Sequence, residues 1–461
     1  MTLPEPSPLP APSARTAWRA FAIVAAALLA IKLLALIVLR DPPLLGDEGT
    51  YWDWSKRYLD TYWTKDEWWS PLQFVFLDLV QRAFPVHGLI AARALQLLVQ
   101  TATGAFVMGL GRELEDHRVG LAAGLLYLAL PEPVSFAYLL FSETWAAFWF
   151  AAAALLYFRS LRRLDLGGDL GQALVGLAFA LTVLFRAVYF YFLPLWLLHY
   201  WLSSSRPRLN KIISVLLFLA AFAGPVSIHA LKNYRLFGEF VPLNTNTWLN
   251  FWYAHNTFEP PDHNFYGPYL ESLRQGFPGA RPETTIAGPA SKQRAEMKNA
   301  LWFIAMHPGL TARRTLRKVE DLFHPSLYIY RNWYVMPKGS FVRERLARPW
   351  PLALISTTYV AMTLLATAGL VFSREGRVRS FALMLIGYQL ALAAFFFGPT
   401  RFRMAFVPAL VIFMGWAVVN IREMWRQKFS WRGAFVAVLW AVMLADWSKL
   451  TWELIQRYRH G

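Results

Sequence analysis

AWRAFAIVAAALLAIKLLALIVLRDPPLLGDEGTYWDWSKRYLD, residues 17–60, is the stretch that decides the class of this chain. Its first half, Ala17 to Leu39, is an almost unbroken apolar run. A membrane-crossing helix needs roughly 17–25 mostly apolar residues. Arg15 and Arg19 lead the run and no small-residue cleavage site follows it, so it reads as a retained helix and not a signal peptide. The second half turns acidic and aromatic at once, as expected where a chain leaves the bilayer.

The same pattern repeats outward from there. Further apolar runs lie at about 70–84, 89–110, 119–139, 143–158, 170–185, 187–202, 211–230, 351–372, 380–398, 402–420 and 433–450, twelve candidate segments with the first. Hydrophobic residues make up 56% of the 461 and charged residues 16%. Soluble domains run at about 45–50% and about 25%. The absence of cysteine excludes a disulfide scaffold, a thiolate metal site and a cysteine nucleophile. The net charge of +17 arises from 46 Lys and Arg against 29 Asp and Glu. These charges fall between the apolar runs, which suits a membrane protein's inner loops and argues against nucleic acid as a partner.

Four short loops carry the basic excess expected of the inner side: 159–169, 203–211, 373–379 and 421–432. The alternation then places Glu143, Arg186, Arg401, Arg403 and the long 231–348 stretch outside, together with 40–69. Three full crossings between 69 and 143 would put Glu143 inside. One run there is therefore expected to be a half-helix, and 70–84, with Asp78 and Arg82, is the preferred one. The expected architecture is an all-α polytopic membrane protein with about 11–13 transmembrane helices. Residues 1–16 read as a disordered cytoplasmic tail and 17–230 as an N-terminal membrane module. Residues 231–348 read as an outer loop region and 349–461 as C-terminal membrane helices.

The outer segment 41–71 holds Asp47 and Glu48 directly after Gly46. Two adjacent carboxylates near a membrane surface repel one another and cost desolvation. One of them is a candidate general base, and the pair offers oxygen ligands to a divalent cation. The alternative is a solvated helix N-terminus, where acidic residues suit the dipole. Interleaved aromatics, Tyr51 and Trp69 among them, suit an interfacial helix and also stacking on sugar faces.

Arg186 sits in LTVLFRAVYFYFLP and requires an anionic partner. Arg401 and Arg403, in GPTRFRMAFVPAL, would share one face if Gly398–Pro399 keeps the backbone extended, and would diverge in a helix. Guanidinium forks match phosphate oxygens, whereas snorkelling to lipid headgroups is the competing reading. Glu143 is their counter-ion, an orienting group, or an acidic first helical turn. Acid and guanidinium together suit an anionic lipid substrate and leave the reaction open.

Four stretches in order add a resemblance: GDEGTYWDWSKRYLD (46–60) with SPLQFVFLDL (70–79), LLFSETWAAFWFAAAALLYF (139–158) with LTVLFRAVYFYFLPLWLL (181–198), ALKNYRLFGEFVPLNTNTWLNFWYAHN (230–256), and GPTRFRMAFVPAL (398–410). Over about 17–420 the chain resembles bacterial GT-C glycosyltransferases, the family that includes protein O-mannosyltransferases and the aminoarabinose transferase of lipid A. It departs from the family at Trp69-Ser70-Pro71, where a His-Pro-Pro is common, and at Lys232, where the family has Arg.

The resemblance implies a multi-pass protein of the bacterial inner membrane. It would transfer a sugar from a polyprenyl-phosphate donor to a lipid, glycan or protein acceptor on the periplasmic face. Asp47 would be the base, and Glu48 would orient it or bind a cation. Arg401, Arg403, Arg186 and Lys232 would hold the donor phosphate, with Glu143, Tyr51, Trp69, Asn244 and Asn246 around the substrates. Asn244 and Asn246 have a second reading as turn formers. Within the long outer stretch, 291–305 and 311–323 read as amphipathic helices. Histidines 255, 263, 307 and 324 lack metal-ligand spacing and read as structural. A flippase for such a lipid and a non-catalytic scaffold are the competing functions. Neither paired halves with interrupted helices nor a nucleotide-binding loop is evident.

Overall fold

The computed structural model describes residues 13–38, 44, 46–64, 69–163, 165–256, 289–325, 349–374, 376–396 and 400–460. Among them every regular element is helical and none is a strand. The first twelve residues of the expected tail, Asp66, His263 and the Gly398–Pro399 entry lie outside the described residues.

α1 (Ala14–Val38) is 25 residues long, or about 37 Å at 1.5 Å per residue, enough to cross a hydrocarbon core of about 30 Å. Two short helices follow, α2 (Asp47–Trp54) and α3 (Tyr58–Thr61). α4 (Leu72–Ala83) has only 12 residues, about 18 Å, and fits the expected half-helix. α5 (Gly88–Leu114) is a full-length span. α6 (His117–Ala129) and α7 (Pro131–Tyr138) form a pair bent by 49°. The bend falls at Leu130, where Pro131 withholds an N–H from the helical ladder.

α8 (Glu143–Ser160), α9 (Leu166–Phe185), a 3-10 turn (Ala187–Phe192), α10 (Leu193–Ser203) and α11 (Arg208–Phe237) complete the N-terminal part. α11 stops at Gly238, whose φ of 66° is the left-handed geometry of a helix C-terminus. Lys232 therefore lies on the last turns of α11 and not in a loop.

After α12 (Thr247–Ala254) come α13 (Pro289–Met306) and α14 (Pro308–Leu322), the two helices expected within the outer stretch. The C-terminal part is α15 (Pro349–Phe372), α16 (Arg377–Phe395), a 3-10 turn (Thr400–Ala405), α17 (Val407–Val419), α18 (Ile421–Arg426) and α19 (Trp431–His460).

Among the described residues six helices are long and apolar enough to cross a membrane, seven if the bent pair counts as one span. The expected count of about eleven to thirteen also takes in apolar runs that do not form one long helix. Some of these runs are broken locally. Run 187–202 is a 3-10 turn joined to the 11-residue α10, and run 402–420 is a second 3-10 turn joined to the 13-residue α17. The protein is nonetheless a multi-pass membrane protein.

α5 and α6 approach backbone to backbone. A Cβ added at Gly120 would stand 2.6 Å from the Met108 carbonyl oxygen, and one at Gly111 would stand 2.9 Å from Gly120 Cα. Small residues permit such contact in lipid, where close dispersion packing drives helix association. α8 lies at the centre, packed on α5 and α9. Its Phe150 and Tyr157 join Phe192, Trp196 and Phe381 in a buried aromatic core.

Candidate functional site

Gly46 takes φ 56°, a conformation glycine adopts without a Cβ penalty, and starts α2 at Asp47. Asp47 Oδ2 accepts from Arg401 Nη1 at 2.7 Å. Arg401 Nε also donates to Glu143 Oε1 at 3.0 Å. Arg186 Nη1 reaches the same Glu143 oxygen at 2.5 Å. Four sequence-predicted residues, from α2, the start of α8, the end of α9 and the second 3-10 turn, thus meet in one ion-pair chain.

The cluster is graded in exposure. The Asp47 side chain is 41% exposed, while those of Arg401 and Arg186 are 15% and 12% exposed and Glu143 is buried. Arg401 lies 5.0 Å over the Phe141 ring and Arg186 lies 5.3 Å over Phe402. The guanidiniums are therefore held on aromatic faces, as cation–π contacts allow. An anion arriving there would meet two forks, with a carboxylate at the rim.

Glu48 departs from its expected role. It is 1% exposed, accepts from the Leu140 N–H at 2.9 Å, and stands 3.5 Å from Arg93 Nη2. One residue along a helix turns the side chain by about 100°, so Asp47 faces the opening while Glu48 enters the core. Among the described residues no group of three His, Cys, Asp or Glu side chains is placed to hold a metal ion. The Glu48 carboxylate is committed to a backbone N–H and a guanidinium, so the described residues do not fit the divalent site expected there.

Glu48 instead belongs to a cradle around the turn between α7 and α8. Gln73 Nε2 donates to the Leu140 carbonyl at 2.9 Å. Gln96 Nε2 donates to Leu139 O, and to Ala137 O at 3.3 Å. These amides satisfy carbonyls that the end of α7 leaves without helical partners. Ser70 Oγ likewise accepts from the Ala187 N–H at 2.9 Å, fixing the backbone beside Arg186. Sequence reasoning missed Arg93, Gln73, Gln96 and Ser70. The signal was present: Arg93, Gln96 and Gln100 are spaced three and four apart in an apolar helix, on one buried face.

Tyr51 is buried, its ring stacked 4.8 Å from Trp69 and tilted 5.4 Å from Phe74. It forms the floor of the site and presents no open face for a sugar. Burial, and next the Glu143 carboxylate, push its phenol up to about 12. Trp69 is the half-buried member of the stack.

Arg403 is not with Arg401. In a 3-10 turn residues i and i+2 point about 120° apart, so the shared face expected of an extended strand is lost. The Arg403 side chain is 0% exposed. Its Nε is 2.5 Å from Glu132 Oε1, Nη1 is 2.5 Å from the His324 carbonyl, and the guanidinium carbon sits 3.7 Å over the Tyr359 ring. It pins the turn that carries Arg401. Lys232 is also fully buried, with its ammonium 5.5 Å over the Tyr62 ring.

Asn244 Nδ2 donates to Asn246 Oδ1 at 2.7 Å, and Thr247 Oγ1 donates to Asn244 Oδ1 at 2.7 Å. Asn246 is the residue before α12, while Asn244 lines a cavity shared with Ala187, Tyr191 and Trp248. Of the four histidines read as structural, three are described. His255 Nε2 is 2.7 Å from the Phe395 carbonyl, His307 precedes α14, and His324 accepts from Arg403 through its backbone. Burial, then Lys318, push His255 down to about 3.

A polytopic helical bundle with an acidic rim and a cationic interior is thus the class the fold and site define. The fold is similar to that of the Archaeoglobus fulgidus oligosaccharyltransferase in its apo form, with TM-score 0.51, 14% identity, and coverage of 92% of this chain and 55% of that one. ArnT from Cupriavidus metallidurans bound to undecaprenyl phosphate also matches, with TM-score 0.39, 14% identity, and coverage of 89% and 78%. The chain spans about half the length of the oligosaccharyltransferases it matches. No family model matches it, and no curated protein does. The GT-C resemblance read from the sequence is met at the level of fold.

Proposed function

We propose that this chain is an integral-membrane glycosyltransferase that moves a sugar from a polyprenyl-phosphate donor to an acceptor hydroxyl or amide at the outer membrane face. The observation that carries the reading is the Asp47–Arg401–Glu143–Arg186 chain, a part-exposed carboxylate linked through Arg401 and the buried Glu143 to a second guanidinium. Ionisable residues among membrane helices mark substrate sites by default.

The chemistry follows from the positions. Arg401 occupies Asp47 Oδ2, so Oδ1 is the oxygen available to take the acceptor's proton. As the acceptor heteroatom bonds to the anomeric carbon, the bond from that carbon to the phosphate oxygen breaks. The electron pair leaves with the phosphate, and Arg186 and Arg401 stabilise the charge that grows there. A single displacement inverts the anomeric centre. Glu143 holds the two guanidiniums in place, and Glu48 acts only through the Leu140 turn. Inner-membrane location with a periplasmic opening is part of the same proposal and is supported by the basic loops on the opposite side.

The test is a transfer assay with purified protein and polyprenyl-phosphate sugars. Asp47→Asn should lower turnover by about 10²–10⁴, the usual contribution of a general base, with thermal stability retained. Wild-type protein that binds the donor without consuming it favours a flippase and overturns the transferase reading.

A further inference from the structure

α16 ends at Ala394 and Phe395, and the 3-10 turn that carries Arg401 begins at Thr400. A helix leaves its last carbonyls without partners in its own ladder. Two outer elements supply partners here. His255, the residue that closes α12, places Nε2 2.7 Å from the Phe395 carbonyl oxygen. Thr315 Oγ1 and Lys318 Nζ of α14 each lie 3.4 Å from the Ala394 carbonyl oxygen. The far end of α14 reaches the other side of the same turn. There Arg403 Nη1 donates to the His324 carbonyl at 2.5 Å, and the Phe323 and Phe406 ring centroids are 6.1 Å apart. Resting on the transferase reading, we propose that α14 is a strap that positions the Arg401 guanidinium for the donor's phosphate, with Lys318 and Thr315 as positioning residues.

Three observations carry this. The first is bracketing. α14 holds the chain before Arg401, at Ala394, and after it, at Arg403, so a shift of this helix moves the turn between them. Arg401 must meet Asp47 and Glu143 at once, and misplacement by about 1 Å is enough to spoil such a geometry. The second is the direction of the bonds. A carbonyl only accepts, so His255 Nε2 carries the proton given to Phe395 and cannot accept from Lys318, although the two nitrogens are 3.4 Å apart. The Lys318 ammonium is therefore aimed at the end of α16, where the backbone dipoles favour a cation. The third is cost. Lys318 is buried, and Arg314, one turn earlier on α14, adds a like charge while donating to the Asn256 carbonyl at 2.8 Å. Burial, then Arg314, push Lys318 down to about 7. An apolar side chain of the same length serves stability better there, so what the ammonium holds in place accounts for it.

The experiment measures binding of bare polyprenyl phosphate to the full-length protein in nanodiscs at about pH 6, where Lys318 is charged. Lys318→Met should weaken binding by about tenfold without lowering the melting temperature, since methionine removes the buried ammonium. Thr315→Val keeps the shape, removes the hydroxyl and should weaken binding by about threefold. Neither loss should appear in an Arg401→Ala background, because a strap that acts through Arg401 then has nothing to position. A merely structural role gives the same fractional loss with and without Arg401. Equal fractional losses in the two backgrounds, or unchanged binding in both single variants, overturn the strap. A wild type that fails to bind, or an Arg401→Ala variant that binds as the wild type does, overturns the phosphate site that the transferase reading requires, and this inference with it.

Discussion

Asp47 and Glu48 are neighbours in sequence with opposite fates, and their substitutions should separate them. Asp47 is a rim group, so Asp47→Asn should reduce turnover by about 10²–10⁴ while leaving the melting temperature within a degree or two. Glu48 is buried against Leu140 N–H and Arg93, and removing one partner of a buried ion pair costs about 3–5 kcal/mol. Glu48→Ala should therefore lower the melting temperature measured in detergent, and Glu48→Gln less so, since it still accepts from Leu140. Arg403 obeys the same logic. Arg403→Met alone should destabilise, whereas Arg403→Met with Glu132→Leu should recover most of the loss, because a buried pair is often replaced by apolar residues at little net cost. Unchanged stability in Arg403→Met would show that the pair does not anchor the turn bearing Arg401.

At the scale of elements, the site depends on irregularities between helices. Arg186 lies at the extended C-cap of α9, Glu143 opens α8, and Arg401 rides on a 3-10 turn. Each break frees backbone groups that must be satisfied away from water, and Gln73, Gln96, Ser70 and Glu48 do so. The α5–α6 contact holds this cradle against the bent pair. Gly120→Leu meets the Met108 carbonyl and not a flexible side chain, so the helices must separate. The expected outcome is a loss of about 1–3 kcal/mol, read as a lower melting temperature with slower turnover. Gly224→Ala, where an added Cβ meets nothing within 4 Å, is the control and should be silent in both.

For the whole molecule, the expected orientation places α2 outside and the loop after α17 inside. The chain has no cysteine, so single cysteines report sidedness cleanly. Asp53→Cys should react with an impermeant thiol reagent from the periplasmic side and Lys428→Cys from the cytoplasmic side. The reverse pattern would overturn the orientation. A second global property is pH. Lys318, buried on α14, is pushed from 10.5 down to about 7 by desolvation and then by Arg314. Between those values the unfolded chain binds the extra proton, so stability should rise as pH climbs from about 7 toward 10. Lys318→Met should flatten that slope in thermal melts.

The sequence by itself determined the class of this protein. Apolar runs of membrane length, basic loops and an acidic first outer segment are local and additive properties, legible residue by residue. It also named Asp47, Arg186, Glu143 and Arg401, because charge in an apolar setting is costly wherever it occurs. What only the tertiary structure decided is which charges meet. Glu48 turned inward by one helical step, and Arg403 swung to Glu132 because the backbone at 400–405 wound into a 3-10 turn. Some of the twelve apolar runs formed single long helices and others were broken by 3-10 turns. Hydropathy records how much of a segment avoids water, whereas direction and partner depend on backbone dihedrals and on elements more than a hundred residues away.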